Sequence, residues 1–350
     1  MNNLDMKKML IKTSVFSVIC IAAMFQRITS KHIMITDAAG NTIDRGSTDS
    51  SYNLLMSDDI TSGQSGKLII PLPRSVEIED IVLEDHYMDH ELLIYVDSRE
   101  EDFYLDNEVV TDIDIIDSAV CITENDSGAV CLDFKLDGLY ANESSLTENN
   151  TIEVRFFKPY DEYDKIVVVD PAAGGSDKGA VSADLLEKEV TLDVALSMKQ
   201  VAEKDENSDV KLYFTRLSDR DVSNDERLRL VEETQADLFV SLGTSTKNSS
   251  FSDGIFTLYS DLYYSRTLNN AEFADIIEKN CASKAGCEAI GVFCANDDVI
   301  LSDLEIPATK VMLGTIDGET DSVRLKDGAY KKKIAEGIYQ GIISAFEEKK

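Results

Sequence analysis

The sequence predicts an α/β C-terminal domain, a mostly parallel sheet flanked by helices, preceded by an all-β sandwich-like domain and an N-terminal hydrophobic segment. Three observations carry this. Lys165 to Glu189 runs from a β-branched stretch, Ile166 to Val169, through a loop holding Gly174, Gly175 and Gly179 into a helical pattern. That order is the mark of a strand buried on both faces of a parallel sheet, followed by a turn-rich loop at its carboxyl end. Residues 31–160 hold short strand-like runs divided by Asp, Asn, Ser and Gly, with no long helical period. Thr13 to Phe25 is an apolar run behind Lys7, Lys8 and Lys12.

That first run reads as a targeting element over residues 1–30. Its length suits the core of a signal peptide, while Met9 and Leu10 extend it toward a full span if Lys12 reaches back to the interface. Either way the chain is exported, anchored through residues 9–25 or secreted, and acts outside the cytoplasm. The 350 residues carry a formal net charge of −32 and are 43% hydrophobic, enough apolar content for two domains with cores of their own. So acidic a chain repels nucleic acid and anionic lipid heads, and its charge is ordinarily a solvated surface.

In the second segment, Lys67–Leu72, Val76–Leu83, Glu91–Val96, Ala119–Thr123, Ala129–Phe134 and Thr151–Phe157 read as strands, mainly paired in hairpins. Residues 47–66 read as a polar loop. Cys121 and Cys131 lie symmetrically about Asp126, so pairing Thr123 with Ala129 would set them opposite one another and allow a cross-strand disulfide. Two small buried thiols are the alternative. His86 and His90 have a spacing that suits a metal on a helix, but their surroundings read as a strand end or loop.

The third segment begins at Asp164. After the glycine loop a helix starts near Glu187 and carries Val190, Val194, Met198 and Val201 on one stripe. Glu187 lies one turn before Val190 on that stripe and so faces the sheet and the loop. An acid there gains roughly 0.3–1 kcal/mol from the helix N-terminus with no further role. Val210–Thr215 reads as a strand, Ser223 to Glu226 as a capping box opening a helix, and Ala236–Leu242 as a second doubly buried strand. Ile255–Tyr259, Val299–Leu301 and Ala308–Leu313 complete the sheet. Ala271–Lys284 and Lys331–Phe346 read as helices, the last with Ile334, Ile338, Ile342 and Phe346 on its buried face.

Residues 164–350 resemble the zinc-dependent N-acetylmuramoyl-L-alanine amidases. Asp170-Pro171-Ala172-Ala173-Gly174-Gly175 is similar to their Asp-Pro-Gly-His-Gly-Gly, Glu187-Lys188-Glu189 to the segment with their ligand Glu, and Arg216 and Arg227 to family arginines. The resemblance implies a zinc ion on two His and one Glu, a further catalytic Glu, and peptidoglycan as substrate. It implies metal ligands at positions 173, 187 and 243, and the catalytic Glu at 312. It implies a ligand cleft around Asp170, Gly174, Gly175, Glu187, Arg216 and Arg227.

The chain departs from that pattern where the chemistry would sit. Ala173 and Gly243 stand at the histidine positions, Met312 stands at the glutamate position, and Glu187 alone remains. The three histidines of the whole chain are His32, His86 and His90, so no shift of alignment supplies one to residues 164–350. Cys281, Cys287 and Cys294 have no zinc spacing. A catalytic zinc needs three protein ligands at about 2.0–2.2 Å and a water that it activates. The leading expectation is therefore a pseudo-amidase that uses no cofactor and binds peptidoglycan or a wall-remodelling protein. An active amidase with zinc held through Glu187 and other groups, and a purely structural platform, are the other two readings. The place of residues 31–160 ahead of such a domain suggests a wall-binding module by analogy of domain order.

Overall fold

The computed structural model describes residues 35–37, 50–60, 65–98, 100, 102–123, 129–182, 184–247, 253–263, 265 and 267–349. The expected targeting element at residues 1–30 lies outside them. Among the described residues no helix is long and apolar enough to cross a membrane.

Side chains alternate across a strand, and β12 (Lys165–Pro171) uses both faces. Val167 and Val169 pack into one core and Ile166 and Val168 into another, all at 0–1% exposure. The continuous β-branched run is therefore the centre of a sheet. Its neighbours are β13 (Val210–Phe214) and β14 (Leu238–Ser245), both parallel to it. The full order is β13-β12-β14-β17-β15-β16, with β15 (Ile255–Tyr259), β16 (Ala289–Cys294) and β17 (Ala308–Thr315). All contacts are parallel except β15 against β17, so the sheet is mixed.

Three helices cover one face: α3 (Glu187–Ala202), α5 (Asn270–Ala285) and α8 (Gly328–Glu348), through Val190, Val194, Met198, Phe273, Ile277, Ile334, Ile338 and Ile342. The opposite face takes α4 (Asn224–Thr234) and α6 (Val299–Asp303). Ser223 and Glu226 make the anticipated capping box, each side chain accepting the other's backbone N–H. Between α6 and α8 lies the single turn α7 (Asp321–Arg324).

Two elements of this domain differ from the sequence reading. Val299–Leu301, expected as a strand, is helix α6, because Asp298 caps it by accepting the Leu301 amide. The outer strand is instead β16, whose residues are exposed or half-buried and lack a strong alternation.

The preceding domain is a two-sheet β sandwich. One sheet has the order β1-β5-β6-β9-β8-β2, made of β1 (Ile35–Asp37), β2 (Ser50–Asn53), β5 (Ile81–His86), β6 (Glu91–Asp97), β8 (Ile116–Thr123) and β9 (Ala129–Leu136). The other has the order β10-β11-β4-β7-β3, made of β3 (Met56–Ser57), β4 (Lys67–Pro71), β7 (Val109–Thr111), β10 (Ala141–Leu146) and β11 (Thr151–Phe157). Leu68, Ile70, Leu83, Leu92, Ile94, Leu132, Phe134, Ile152 and Val154 fill the space between them. Short helices α1 (Phe103–Asp106) and α2 (Pro159–Glu162) interrupt the strands and lead into β12.

Three expectations are corrected here. Residues 47–66 hold β2 and β3 within their described part, and Val76–Leu83 is divided by a 3-10 turn at Ile78–Asp80. The cysteine hairpin is displaced by one residue: Thr123 faces Val130, Cys121 faces Leu132, and Ile122 faces Cys131. A one-residue slip sends side chains to opposite faces. Cys121 therefore joins the sandwich core, Cys131 lies beside Tyr95 on the other face, and both thiols are free.

The two domains share a core. The β5–β6 turn brings Tyr87 and Met88, with Leu139, into the cluster formed by Ile166, Val168, Tyr213, Leu230 and Phe239. Around it, Arg229 Nη2 donates to Met88 O at 2.8 Å, Arg220 pairs with both oxygens of Asp89 at 2.9 and 3.1 Å, and His90 Nε2 lies 2.9 Å from Glu233. His86 Nε2 contacts Glu84 instead, so the two histidines serve separate partners.

Candidate functional site

Open α/β sheets place their sites at the carboxyl ends of the strands. Here β12, β14 and β17 end side by side. Ala172 donates its N–H to Leu242 O at 3.0 Å, and Gly243 is paired in register with Met312.

Glu187, the first residue of α3, sits between these ends. Its Oε2 accepts the Ala180 N–H at 2.6 Å and its Oε1 accepts the Thr244 N–H at 2.9 Å. One carboxylate thus ties the loop after β12 to the end of β14. The loop comes this close only because Gly179 has no side chain: a Cβ there would lie 2.5 Å from Glu187 Oε2. Gly174, at φ +134°, is fixed the same way, with a Cβ 2.2 Å from Arg220 O.

The other side of the loop is held by acids that the sequence reading missed. Gly175 N–H donates to Asp219 Oδ1 at 2.8 Å, and Ser176 donates its N–H and hydroxyl to Asp221 Oδ1 at 2.9 and 2.7 Å. Lys188 Nζ closes the ring on Gly175 O and Asp219 Oδ2 at 2.8 and 2.7 Å. The Lys188 hydrogen bond holds Asp219 below the usual carboxylate range, and the Ser176 hydroxyl does the same for Asp221.

Behind the loop is a buried charged frame. Asp170, 2% exposed, accepts from Arg227 Nε and Thr215 Oγ1 at 2.7 Å each and from Ser241 Oγ at 3.0 Å. Arg216, 0% exposed, donates to Pro171 O at 2.9 Å, Lys188 O at 2.9 Å, and Ala172 O, Ser218 O and Thr191 Oγ1 at 3.1 Å each. Burial pushes its guanidinium down to about 10, with Asp170 opposing the change. These three residues belong to the ligand cleft that the resemblance implies. In the structure they are buried and hydrogen-bonded within the protein, and Arg216 supports the loop from inside through Pro171 O and Ala172 O.

Around Gly243 the arrangement is open only as far as one glycine allows. A Cβ at this position would lie 3.0 Å from Lys310 Cε, 3.1 Å from Glu187 Oε1 and 3.4 Å from Met312 Sδ. Lys310 is two residues before Met312 on β17 and shares its face. Its ammonium is 3.2 Å from Asp298 Oδ2 at the cap of α6. Sequence reasoning missed Lys310, although strand alternation alone links it to Met312. The buried Thr244 Oγ1 has no hydrogen-bond partner among the described residues. Ala173, in the left-handed region at φ +61° and half-buried, offers no donor.

These residues do not fit a catalytic zinc ion. Positions 173 and 243 carry no side-chain ligand, Met312 has no ionisable group, and each oxygen of Glu187 already accepts a backbone N–H. Among the described residues, no three His, Cys, Asp or Glu side chains converge to hold an ion.

The family model described as N-acetylmuramoyl-L-alanine amidase matches residues 167–344. N-acetylmuramoyl-L-alanine amidase LytC of Bacillus subtilis (strain 168) is 33% identical over 180 residues, which are 51% of this chain and 35% of that protein. The germination-specific N-acetylmuramoyl-L-alanine amidase of the same organism is 26% identical over 203 residues, 53% of this chain and 81% of the relative. This chain thus spans about a third of the first relative and most of the second. Among solved structures, the amidase AmiC2 of Nostoc punctiforme is 26% identical with a TM-score of 0.47, covering 52% of this chain and 97% of its own.

Proposed function

The chain belongs to the N-acetylmuramoyl-L-alanine amidase family, and on that premise we propose that it is a non-catalytic member that binds peptidoglycan stem peptides outside the cytoplasm. The observation that carries this is the state of Glu187. Its carboxylate joins Ala180 to Thr244, while Gly243 and Met312 near it, and Ala173 in the loop after β12, carry no side chain that moves a proton or serves as a usual zinc ligand. A glutamate that fastens two loop ends has a structural task, so the cleft keeps its shape without chemistry.

In this reading the wall ligand lies over Gly174, Gly175 and Glu187. Residues 31–160 add wall affinity, and residues 9–25 hold the chain at the membrane or are removed on secretion. A wall-remodelling protein as the occupant of the same cleft is the nearest variant. The test is co-sedimentation of the chain with insoluble peptidoglycan, with and without competing muropeptides. Retention that muropeptides reverse supports the proposal, and absence of retention leaves a structural platform.

The second reading is an active amidase, favoured by the 33% identity to a protein named for that activity. Mass spectrometry of muropeptides incubated with the chain and added zinc separates the two. Freed stem peptides with matching unsubstituted muramic acid would establish the enzyme. Intact muropeptides beside an active control would leave the binding protein.

A further inference from the structure

The segment between β13 and α4 serves two neighbours at once. Residues 217–222 form neither helix nor strand, so side-chain bonds set their path. Arg216 holds one end by donating to Ser218 O at 3.1 Å, and Arg227 holds the other through Val222 O. Between these anchors, Asp219 and Asp221 accept from Gly175 and Ser176 of the glycine loop. Arg220, flanked by the two acids, reaches the β domain instead. Its Nη1 and Nη2 donate to Asp89 Oδ2 and Oδ1 at 2.9 and 3.1 Å, and its side chain is 16% exposed. Its carbonyl lies against the loop, where a Cβ on Gly174 would come within 2.2 Å. A two-point pair of arginine and carboxylate fixes direction as well as distance. Asp89 is held in turn: its N–H donates to His86 O at 2.9 Å, and the preceding Tyr87 and Met88 are docked in the shared core.

The geometry points to Asp89 as a positioning residue for the cleft: through Arg220, the β domain sets the two acids that hold Gly175 and Ser176. Asp89 acts through Arg220 and touches no ligand. This rests on the reading of the glycine loop as part of a wall-ligand site, and it adds that the α/β domain does not complete that site alone. Glu226 Oε1, 3.4 Å from Arg220 Nη2, is the longer contact from the same domain. A ligand that binds the ordered loop is thereby linked to the docking of Asp89, and such linkage runs both ways.

The test is residue-resolved amide hydrogen exchange in the full chain without ligand. Asp89→Ala should speed exchange at Gly175 and Ser176 by roughly threefold to tenfold, as expected of a lost two-point ion pair. Val168 and Val240, paired strand residues of the sheet core, should keep their native exchange. Arg220→Ala should do at least as much at the loop, and adding Asp89→Ala to it should change nothing further. Asp89→Glu keeps the carboxylate and should restore most of the protection. Unchanged exchange at Gly175 and Ser176 in Asp89→Ala, or the same acceleration at Val168 and Val240, would overturn the assignment. Peptidoglycan co-sedimentation reads ligand binding by the native chain, so failure of the binding function and failure of the Asp89 assignment remain distinct.

Discussion

The hydroxyl of Tyr87 donates to Phe214 O at 2.9 Å and accepts from Phe214 N at 2.8 Å, so one side chain of the β domain pairs both backbone groups at the end of an edge strand of the α/β domain. An edge strand exposes such groups unless something covers them. Tyr213 stacks edge-on against the same ring at 5.1 Å.

Tyr87→Phe should therefore keep the ring packing and lose both hydrogen bonds. Leaving a buried donor and acceptor unpaired costs about 1–3 kcal/mol. Urea denaturation should show a lower midpoint with an unchanged slope. No change in midpoint would mean that water replaces the hydroxyl.

Glu187→Ala should destabilise the chain by roughly 2–3 kcal/mol, because charge-assisted bonds to two backbone amides are lost. Glu187→Gln, which retains one oxygen acceptor, should lose about half as much. Amide hydrogen exchange at Ala180 and Thr244 should speed up in the order native, Gln, Ala. Unchanged exchange in the Ala variant would remove Glu187 as the fastening of the loop.

The Asp170 and Arg227 pair is buried on both sides, with side chains 3% and 9% exposed. Breaking such a pair from one side costs about 3–5 kcal/mol, since the remaining charge is stranded. Arg227→Met should fall in that range, and the double change with Asp170→Asn should cost less than the sum of the single ones. Additive losses in thermal melts would show that the two residues act independently.

The loop should loosen in acid. Asp219 has its pKa lowered in the folded chain, so the stability it contributes is present above its unfolded value of about 3.9 and is lost as pH falls through the folded value. The Tm difference between the native chain and Asp219→Asn should be open at pH 6 and should narrow as pH falls below about 4. A difference independent of pH would assign the effect to packing.

What was legible in the sequence was local chemistry. The start of α3 at Glu187, the capping box at Ser223 and Glu226, and β11, β12 and β15 all announce themselves through residues adjacent in sequence. Strand β16 did not, because Gly291 breaks its run and its flanks are exposed, and Val299 to Leu301 is too short for periodicity to distinguish strand from helix. The cysteine register failed because symmetric spacing does not reveal a connection one residue longer. In the site, motif order located Glu187 and Gly243, whereas the burial of Arg216 and the approach of Lys310 are products of tertiary packing. Residue type alone could not say whether an arginine meets a ligand or holds up a loop.

The cluster of Tyr87, Met88 and Leu139 with Ile166, Val168 and Phe239 has a consequence for handling the molecule. The relatives invite excision of residues 164–350 as a free-standing piece. Cutting there would strip cover from Tyr213, Phe239 and the sheet face beneath, turning interior into sticky exterior. The chain should melt as one calorimetric unit, and the excised half should precipitate where the pair stays in solution.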